Sequence, residues 1–303
     1  MKEKNTKVPV RLIVQAAWTA LTNGYLYGFT SGKIYTGKTK DLCVPGLSCY
    51  SCPGALGSCP IGALQATLGS PEHKFAFYTL GILMLFGSLF GRFICGWLCP
   101  FGLVQDLLYK IPLFRKRKNL PLHSRLKWTK YVVLALFVVI LPGFIADAAG
   151  LGEPWFCEYI CPSGTLFGGV PLTAVNEDLR SAIGFRFWWK LGLLLAILTA
   201  SVKYHRPFCK YLCPLGAAYS LFNPIALYRY RVSRESCTDC GACRRVCKAD
   251  ISPNVTPNSL ECIRCGDCLK ACPHGALGKY DIIKEIKEGA ASVPRIDNND
   301  EQT

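Results

Sequence analysis

Apolar residues gather into four runs along the 303-residue chain, covering with their flanking basic residues roughly 11–29, 75–95, 128–146 and 185–202. Each has about the 17 to 25 residues that a helix rising 1.5 Å per residue needs to cross a hydrocarbon core of about 30 Å. In the cleanest, "WTKYVVLALFVVILPGFI", nothing between Lys130 and Asp147 carries charge. Four buried helices of a large soluble α domain would be the alternative, but soluble helices usually keep a polar stripe. The pattern therefore predicts four transmembrane helices. The first run is long, contains Asn23 and is followed by no small-residue cleavage site, so it reads as a crossing and not as a signal peptide.

Charge orients these crossings, because short cytoplasmic loops carry the Lys/Arg excess. The loop 110–130, "KIPLFRKRKNLPLHSRLKWTK", has eight Lys/Arg and no acid, and residues 1–11 and the segment "VKYHRPFCKYLCP" agree with it. The loop 147–184 holds Asp147, Glu153, Glu158, Glu177 and Asp178 against Arg180 and belongs outside. Both termini are then cytoplasmic. Only the first outer loop, about 30–74, argues weakly the other way through Lys33, Lys38, Lys40 and Lys74. The net charge of +15 is largely topological, with anionic lipid as its natural partner. No nucleic-acid-reading module accompanies it.

Chemistry enters with the 18 cysteines. After the fourth run comes "SCTDCGACRRVCKADISPNVTPNSLECIRCGDCLKACPHGAL", which is CxxCxxCxxxC twice. This spacing holds two [4Fe-4S] clusters, because three thiolates wrap one face of a cube and the fourth cysteine of each run reaches the other cluster. Cys237, Cys240, Cys243 and Cys272 are assigned to one cluster, and Cys262, Cys265, Cys268 and Cys247 to the other. Disulfides are disfavoured in a reducing cytoplasm, and zinc would use paired CxxC units. Lys248 in place of proline after Cys247 changes a turn and removes no ligand. The segment resembles the bacterial-type two-cluster ferredoxins, which move single electrons and have no substrate pocket. The expected organisation is a membrane domain over 1–230, a small α+β ferredoxin domain over 231–280 and a polar tail over 281–303.

The remaining cysteines form an internal repeat. "CGWLCPFGLVQDLLYKI" from Cys95 and "CKYLCPLGAAYSLFNPI" from Cys209 share CxxLCPxG and follow the second and fourth runs, so each half is an up-and-down helix pair and the two repeats are parallel. Cys95, Cys99, Cys209 and Cys213 would supply the four thiolates of a third cluster if the halves pack side by side. Structural thiols, a transient dithiol pair and a zinc site compete with that reading. "CEYICPSG", with Cys157 and Cys161, falls outside and is echoed by "CPIG" at Cys59. Cys59, Cys157 and Cys161 with one of Cys43, Cys49 or Cys52 would make a fourth set, against disulfides as the default of an oxidising exterior.

Four crossings, two CxxxCP motifs at the cytoplasmic ends of the second and fourth, and a C-terminal two-cluster domain together resemble the membrane-bound ferredoxin-type quinol dehydrogenase family, over about residues 75–277. The resemblance implies electron transfer between membrane quinol and a partner redox protein in a bacterial cytoplasmic membrane. Cys95, Cys99, Cys209 and Cys213 match its CxxxCP cysteines; the outer cysteines depart from its simplest pattern. Haem is not expected, since His73, His123, His205 and His274 all lie outside mid-membrane. The group "FRFWWKLG", 185–192, is a candidate quinone headgroup site, although Trp188 and Trp189 also suit an interfacial belt with Arg186 and Lys190 snorkelling. A second function class is an accessory or regulatory protein supplying electrons to mature an extracytoplasmic metalloenzyme. No dinucleotide fingerprint, flavin motif or nucleophile with a nearby base is present.

Overall fold

The computed structural model describes residues 10–70, 77–145 and 152–280. The expected polar tail, His73 and Asp147 lie outside them. The long helices are α1 (Val10–Thr22), α2 (Pro60–Leu68), α3 (Phe77–Phe90), then a short α4 (Phe93–Trp97) and α5 (Pro100–Lys110). They continue with α6 (His123–Phe144), α7 (Phe185–Lys203), a short α8 (Pro207–Tyr211) and α9 (Pro214–Leu221). The molecule is mostly helical.

Two of these helices, α6 and α7, are long and apolar enough to cross a membrane, and only 22% and 17% of their most apolar windows are buried within the protein. A core helix of a soluble domain would show the opposite. Val132, Leu136, Val139 and Phe144 on α6 and Phe185, Trp188 and Leu195 on α7 face outward. Within α6 the turns widen over Leu134–Ile140, just ahead of Pro142, whose missing N–H cannot continue the ordinary ladder. The first two apolar runs give shorter helices than their sequence length suggests. At 1.5 Å per residue the 13 and 14 residues of α1 and α3 span about 20 and 21 Å. The α1 ladder stops at Asn23, whose Nδ2 turns back to Thr19 O. The second run breaks at Gly91, and Cys95 falls on the separate helix α4.

The loop from Cys43 to Cys59, part of the first outer loop, is largely buried. Tyr219 Oη donates to Pro45 O at 3.1 Å, Ser163 Oγ donates to Leu47 O at 3.2 Å, and Gly46 sits against the backbone of Leu98 and Cys99. The loop is thus wedged between the two CxxxCP halves.

Past α9 the chain forms a small lobe closed by antiparallel strands β1 (Tyr230–Val232) and β2 (Leu277–Lys279), with Tyr230 opposite Lys279 and Val232 opposite Leu277. Two short helices, Ala242–Val246 and Asp267–Ala271, face each other inside it. Each is preceded by a glycine at positive φ, Gly241 at 67° and Gly266 at 82°, which lets the chain reverse immediately after a cysteine. The lobe docks on α4 through the segment Leu260–Arg264. Trp97 Nε1 donates to Arg264 O at 3.0 Å, and Ile263 O lies so close to Gly96 that no side chain fits there.

Candidate iron-sulfur centres

In the C-terminal lobe the cysteines line two separate cavities. One is walled by Cys237, Cys240, Cys243 and Cys272, the other by Cys247, Cys262, Cys265 and Cys268. This is the crossed grouping that the spacing predicts, with the fourth cysteine of each run on the far cavity.

Cys95, Cys99, Cys209 and Cys213 come together at the junction of α4, α5, α8 and α9, each no more than 6% exposed. Burial pushes the Cys209 thiol up to about 12, neighbouring Cys99 and Cys95 adding to it while Arg206 opposes. Cys213 is raised by burial and then by Cys209, Cys95 and Cys99. All four therefore lie within one another's electrostatic reach. This is the inner ring.

A second ring forms from Cys49, Cys59, Cys157 and Cys161. Burial raises Cys161 to about 12, with Cys49 the next contributor; it also raises Cys157, helped by Cys161 and Cys49, and Cys59, helped by Cys157. Of the three loop candidates, Cys49 is the one that neighbours Cys157 and Cys161, its Sγ also lying against Gly164 of the Cys161 turn. Cys43 pairs instead with Ser58 Oγ at 3.6 Å, and Cys52 neighbours Cys49 and Lys40 but is no contributor at Cys157 or Cys161. All 18 cysteines are free thiols in this structure. Among the described residues no three Cys, His, Asp or Glu side chains converge on a single ion.

Both rings are built from one device. Cys59, Cys99, Cys161 and Cys213 each cap a helix in extended backbone conformation, with proline at the first helical position. Proline's lost N–H is unpaired there in any case, and its fixed φ suits the turn. At Cys213 the first turn also reaches the capping sulfur, a contact that favours the ionised form. There Gly216 N donates to Cys213 Sγ at 3.4 Å.

The donor sets fit [4Fe-4S] clusters. Four buried thiols in one place resist ionising because each anion repels the next, and cationic iron removes that penalty while taking the thiolates as ligands. The surroundings of the inner ring favour the charged assembly further. Arg92 and Arg206, both 1% exposed, flank it. Arg92 Nη2 donates to Cys209 O at 3.1 Å and Nη1 to Glu261 at 2.8 Å; Arg206 Nη1 donates to Cys95 O at 2.5 Å and Nη2 to Asp106 Oδ2 at 2.6 Å. Lys130 also reaches Glu261, and Arg11 also reaches Asp106, so each carboxylate holds two cations and leaves one net positive charge beside the ring. Burial would raise the Asp106 carboxyl, but Arg206, His205 and Arg11 outweigh it and hold it well below the usual carboxylate range.

Several of these side chains escape a sequence reading keyed to cysteine. Arg92, Asp106 and Arg206 look like ordinary flanking charges. Gln65 and Gln105 are a different case: each stands six residues after the cysteine of a CPxG turn, Cys59 and Cys99, and that shared offset is a readable signal. The candidate quinone group at 185–192 packs over the outer cysteines. Arg186 pairs with Glu158, Trp189 Nε1 donates to Tyr159 O and Lys190 Nζ to Cys157 O at 3.2 Å, so this segment covers the outer ring.

A 4Fe-4S binding domain family matches residues 73–121, 134–171 and 185–229, segments that contain Cys95, Cys99, Cys157, Cys161, Cys209 and Cys213, and a second 4Fe-4S binding domain family matches 255–278. An uncharacterized protein of Methanocaldococcus jannaschii is 29% identical over 214 residues, 68% of this chain and 72% of its own length. The methylamine utilization ferredoxin-type protein MauN of Methylorubrum extorquens is 31% identical over 229 residues, 71% of each chain. The regulatory protein NosR of Pseudomonas aeruginosa is 31% identical over 234 residues, which are 72% of this chain but 28% of NosR. No solved structure matches. The chain belongs to the membrane-bound ferredoxin-type 4Fe-4S protein family, and its chemistry is iron-sulfur electron transfer.

Proposed function

We propose that this chain passes electrons between the quinone pool and a redox partner protein across a bacterial cytoplasmic membrane, through four [4Fe-4S] clusters in series. Two would be held in the ferredoxin domain, residues 231–280, by the crossed cysteine sets. A third would be held by Cys95, Cys99, Cys209 and Cys213, and a fourth by Cys49, Cys59, Cys157 and Cys161. When bound, such clusters supply one-electron carriers. The membrane domain, residues 1–230, crosses four times as two parallel repeats with both termini cytoplasmic, its exposed apolar faces meeting lipid. For α1 the crossing is completed by the buried non-helical loop 43–59, which packs beside its end and which a bilayer tolerates where protein surrounds it. Residues 281–303 form the polar tail.

The observation that carries this reading is the adjacency of the sites. Leu260–Arg264, the segment containing Cys262, lies on α4 against Gly96 and Trp97, beside Cys95. On the other side of the inner ring, Tyr219, fully buried, neighbours Cys95 and Cys99 as well as Cys59 and Cys43. These contacts support the order ferredoxin, inner ring, outer ring. A cavity of about 530 Å³ at the junction has an aromatic wall of Phe90, Phe93, Trp97 and Tyr228 that suits a quinone ring, facing a charged rim that includes Arg11, Asp106 and Lys248.

Anaerobic iron and sulfide content tests the cluster count, since each cubane adds four irons. Sixteen irons per chain are expected; eight would leave the ferredoxin alone. Quinol added to membranes should reduce the clusters, observed by electron paramagnetic resonance, and clusters that stay oxidised sink the quinone link. The outer ring, placed on the far side from the ferredoxin, also suits a protein that delivers electrons for maturation of an extracytoplasmic metalloenzyme. Replacing Cys157 and Cys161 together separates the two: lost partner maturation with unchanged quinol oxidation favours the second.

A further inference from the structure

Two buried glutamines occupy equivalent places in the two rings. Gln65 and Gln105 are both 0% exposed. Gln65 lies on α2, six residues after Cys59; its Nε2 donates to Cys157 Sγ at 3.2 Å, and its Oε1 accepts from Phe156 N at 3.0 Å. Gln105 lies on α5, six residues after Cys99; its Nε2 donates to Cys209 Sγ at 3.1 Å, and its Oε1 accepts from Phe208 N at 3.2 Å. Each amide therefore starts from a CPxG helix of the first half and grips a Phe-Cys pair of the second, 92 residues away in one ring and 104 in the other.

The geometry is specific. An offset of six residues from a helix cap places the side chain almost two turns along, so the glutamine reaches around the ring to the cysteine that its own turn does not supply. The Phe N–H fixes which end of the amide is oxygen, since a backbone donor needs an acceptor, and that leaves the NH₂ facing sulfur. A glutamine needed only to fill space would not require the same two partners twice.

We infer that Gln65 and Gln105 are positioning residues that set the reduction potentials of the outer and inner clusters, each by a single N–H···S hydrogen bond. This rests on the reading that both rings hold clusters. Reduction adds negative charge that spreads onto the thiolate sulfurs, so a donor aimed at one sulfur stabilises the reduced form more than the oxidised form and raises the potential. The two rings are then tuned by the same part, one glutamine each, and independently.

Potentiometric titration of the purified full chain, read by electron paramagnetic resonance, tests this with Gln65→Leu and Gln105→Leu alongside iron content. Gln105→Leu should retain its iron and lower the inner potential, a roughly tenfold fall in the reduced-to-oxidised ratio at fixed ambient potential, or about 59 mV for one electron, with the outer potential unmoved. Gln65→Leu should do the reverse. Full iron with both potentials unchanged overturns the inference while leaving the four-cluster reading intact, whereas a wild-type chain with eight irons overturns both. Should a leucine variant lose iron, Gln105→Met and Gln65→Met decide, since the thioether keeps the length of the side chain, adds no charge and cannot donate to sulfur. Retained iron with a lowered potential in the same ring supports the inference, and iron lost here too overturns it in favour of a purely structural role.

Discussion

The inner and outer rings share their scaffold and differ in their charges. Both have helix-capping cysteines followed by proline, and both have a glutamine bridging Phe N–H and Cys Sγ. Around the inner ring, however, the positive charges are guanidiniums at 1% exposure, each locked to a carboxylate that another cation shares. Around the outer ring the cation beside Cys49, Cys157 and Cys161 is Lys190, half-buried, next to the surface pair Arg186–Glu158. The repeat thus conserves what ligation and geometry need and varies the field. Buried fixed charges act at low dielectric and are shielded from salt, whereas surface charges are not. A cluster held in the inner ring would sit in a field that salt does not reach, and one held in the outer ring in a field that it does.

Removing ligands breaks the comparison most completely. Cys95→Ser with Cys209→Ser should lose the inner cluster, four irons per chain, and stop electron flow from ferredoxin to outer ring while the outer cluster remains chemically reducible. Cys157→Ser with Cys161→Ser should lose four different irons and leave reduction of the inner ring by the ferredoxin intact. Iron content and spectra of each variant check this; equal loss of both clusters in either variant would show that the rings assemble as a unit.

Next in size is the inner charge network. Asp106→Asn leaves Arg206 and Arg11 facing each other without their shared anion, and removing one partner of a buried pair costs about 3–5 kcal/mol. Because the folded carboxyl lies below its unfolded value near 3.9, its contribution is complete at neutral pH and is lost as pH falls toward the folded value. The stability gap between wild type and Asp106→Asn should therefore stay constant from neutrality to about pH 4 and narrow below it. A gap that changes between pH 6 and 8 would contradict the assignment. Gly96→Ala has a smaller effect: the new Cβ meets Ile263 O and must push the ferredoxin segment off α4, an overpacking cost of about 1–3 kcal/mol. Slower reduction of the inner ring with unchanged iron is the expected result.

How far the sequence discloses this arrangement depends on the periodicity of each part. The ferredoxin spacing, CxxCxxCxxxC twice, is local, so even its crossed grouping of Cys247 and Cys272 can be read from the chain. The repeat of Cys95/Cys99 with Cys209/Cys213 is also legible, because both pairs sit at the ends of apolar runs. Hydropathy gave less for the first half. It treats 11–29 and 75–95 as continuous, but Asn23 and Gly91 end those helices through backbone geometry that apolar content does not report. Cys49 could not be distinguished from Cys43 or Cys52 by spacing, because the choice is made by the inward fold of the 43–59 loop against Ser163 and Tyr219. Arg92 and Arg206 were hidden for a similar reason: a basic residue near a helix end reads as topological, and only packing shows it buried.

The smallest predicted effect sharpens the comparison most directly. The Debye length falls from about 10 Å at 0.1 M salt to about 3 Å at 1 M. Lys190 is half-buried and sits among exposed partners, so at high salt its field at Cys157 and Cys161 weakens, while that of Arg92 and Arg206 at the inner ring does not. A weaker positive field makes an added electron less stable, which lowers the potential. Between about 0.1 and 1 M potassium chloride the outer cluster should thus become harder to reduce, its reduced-to-oxidised ratio at fixed potential falling about twofold, the scale of a partly exposed charge interaction. The inner ratio should hold. Lys190→Met should then give the outer cluster the low potential at both salts and abolish its salt response, and equal salt responses in the two rings would remove the distinction between them.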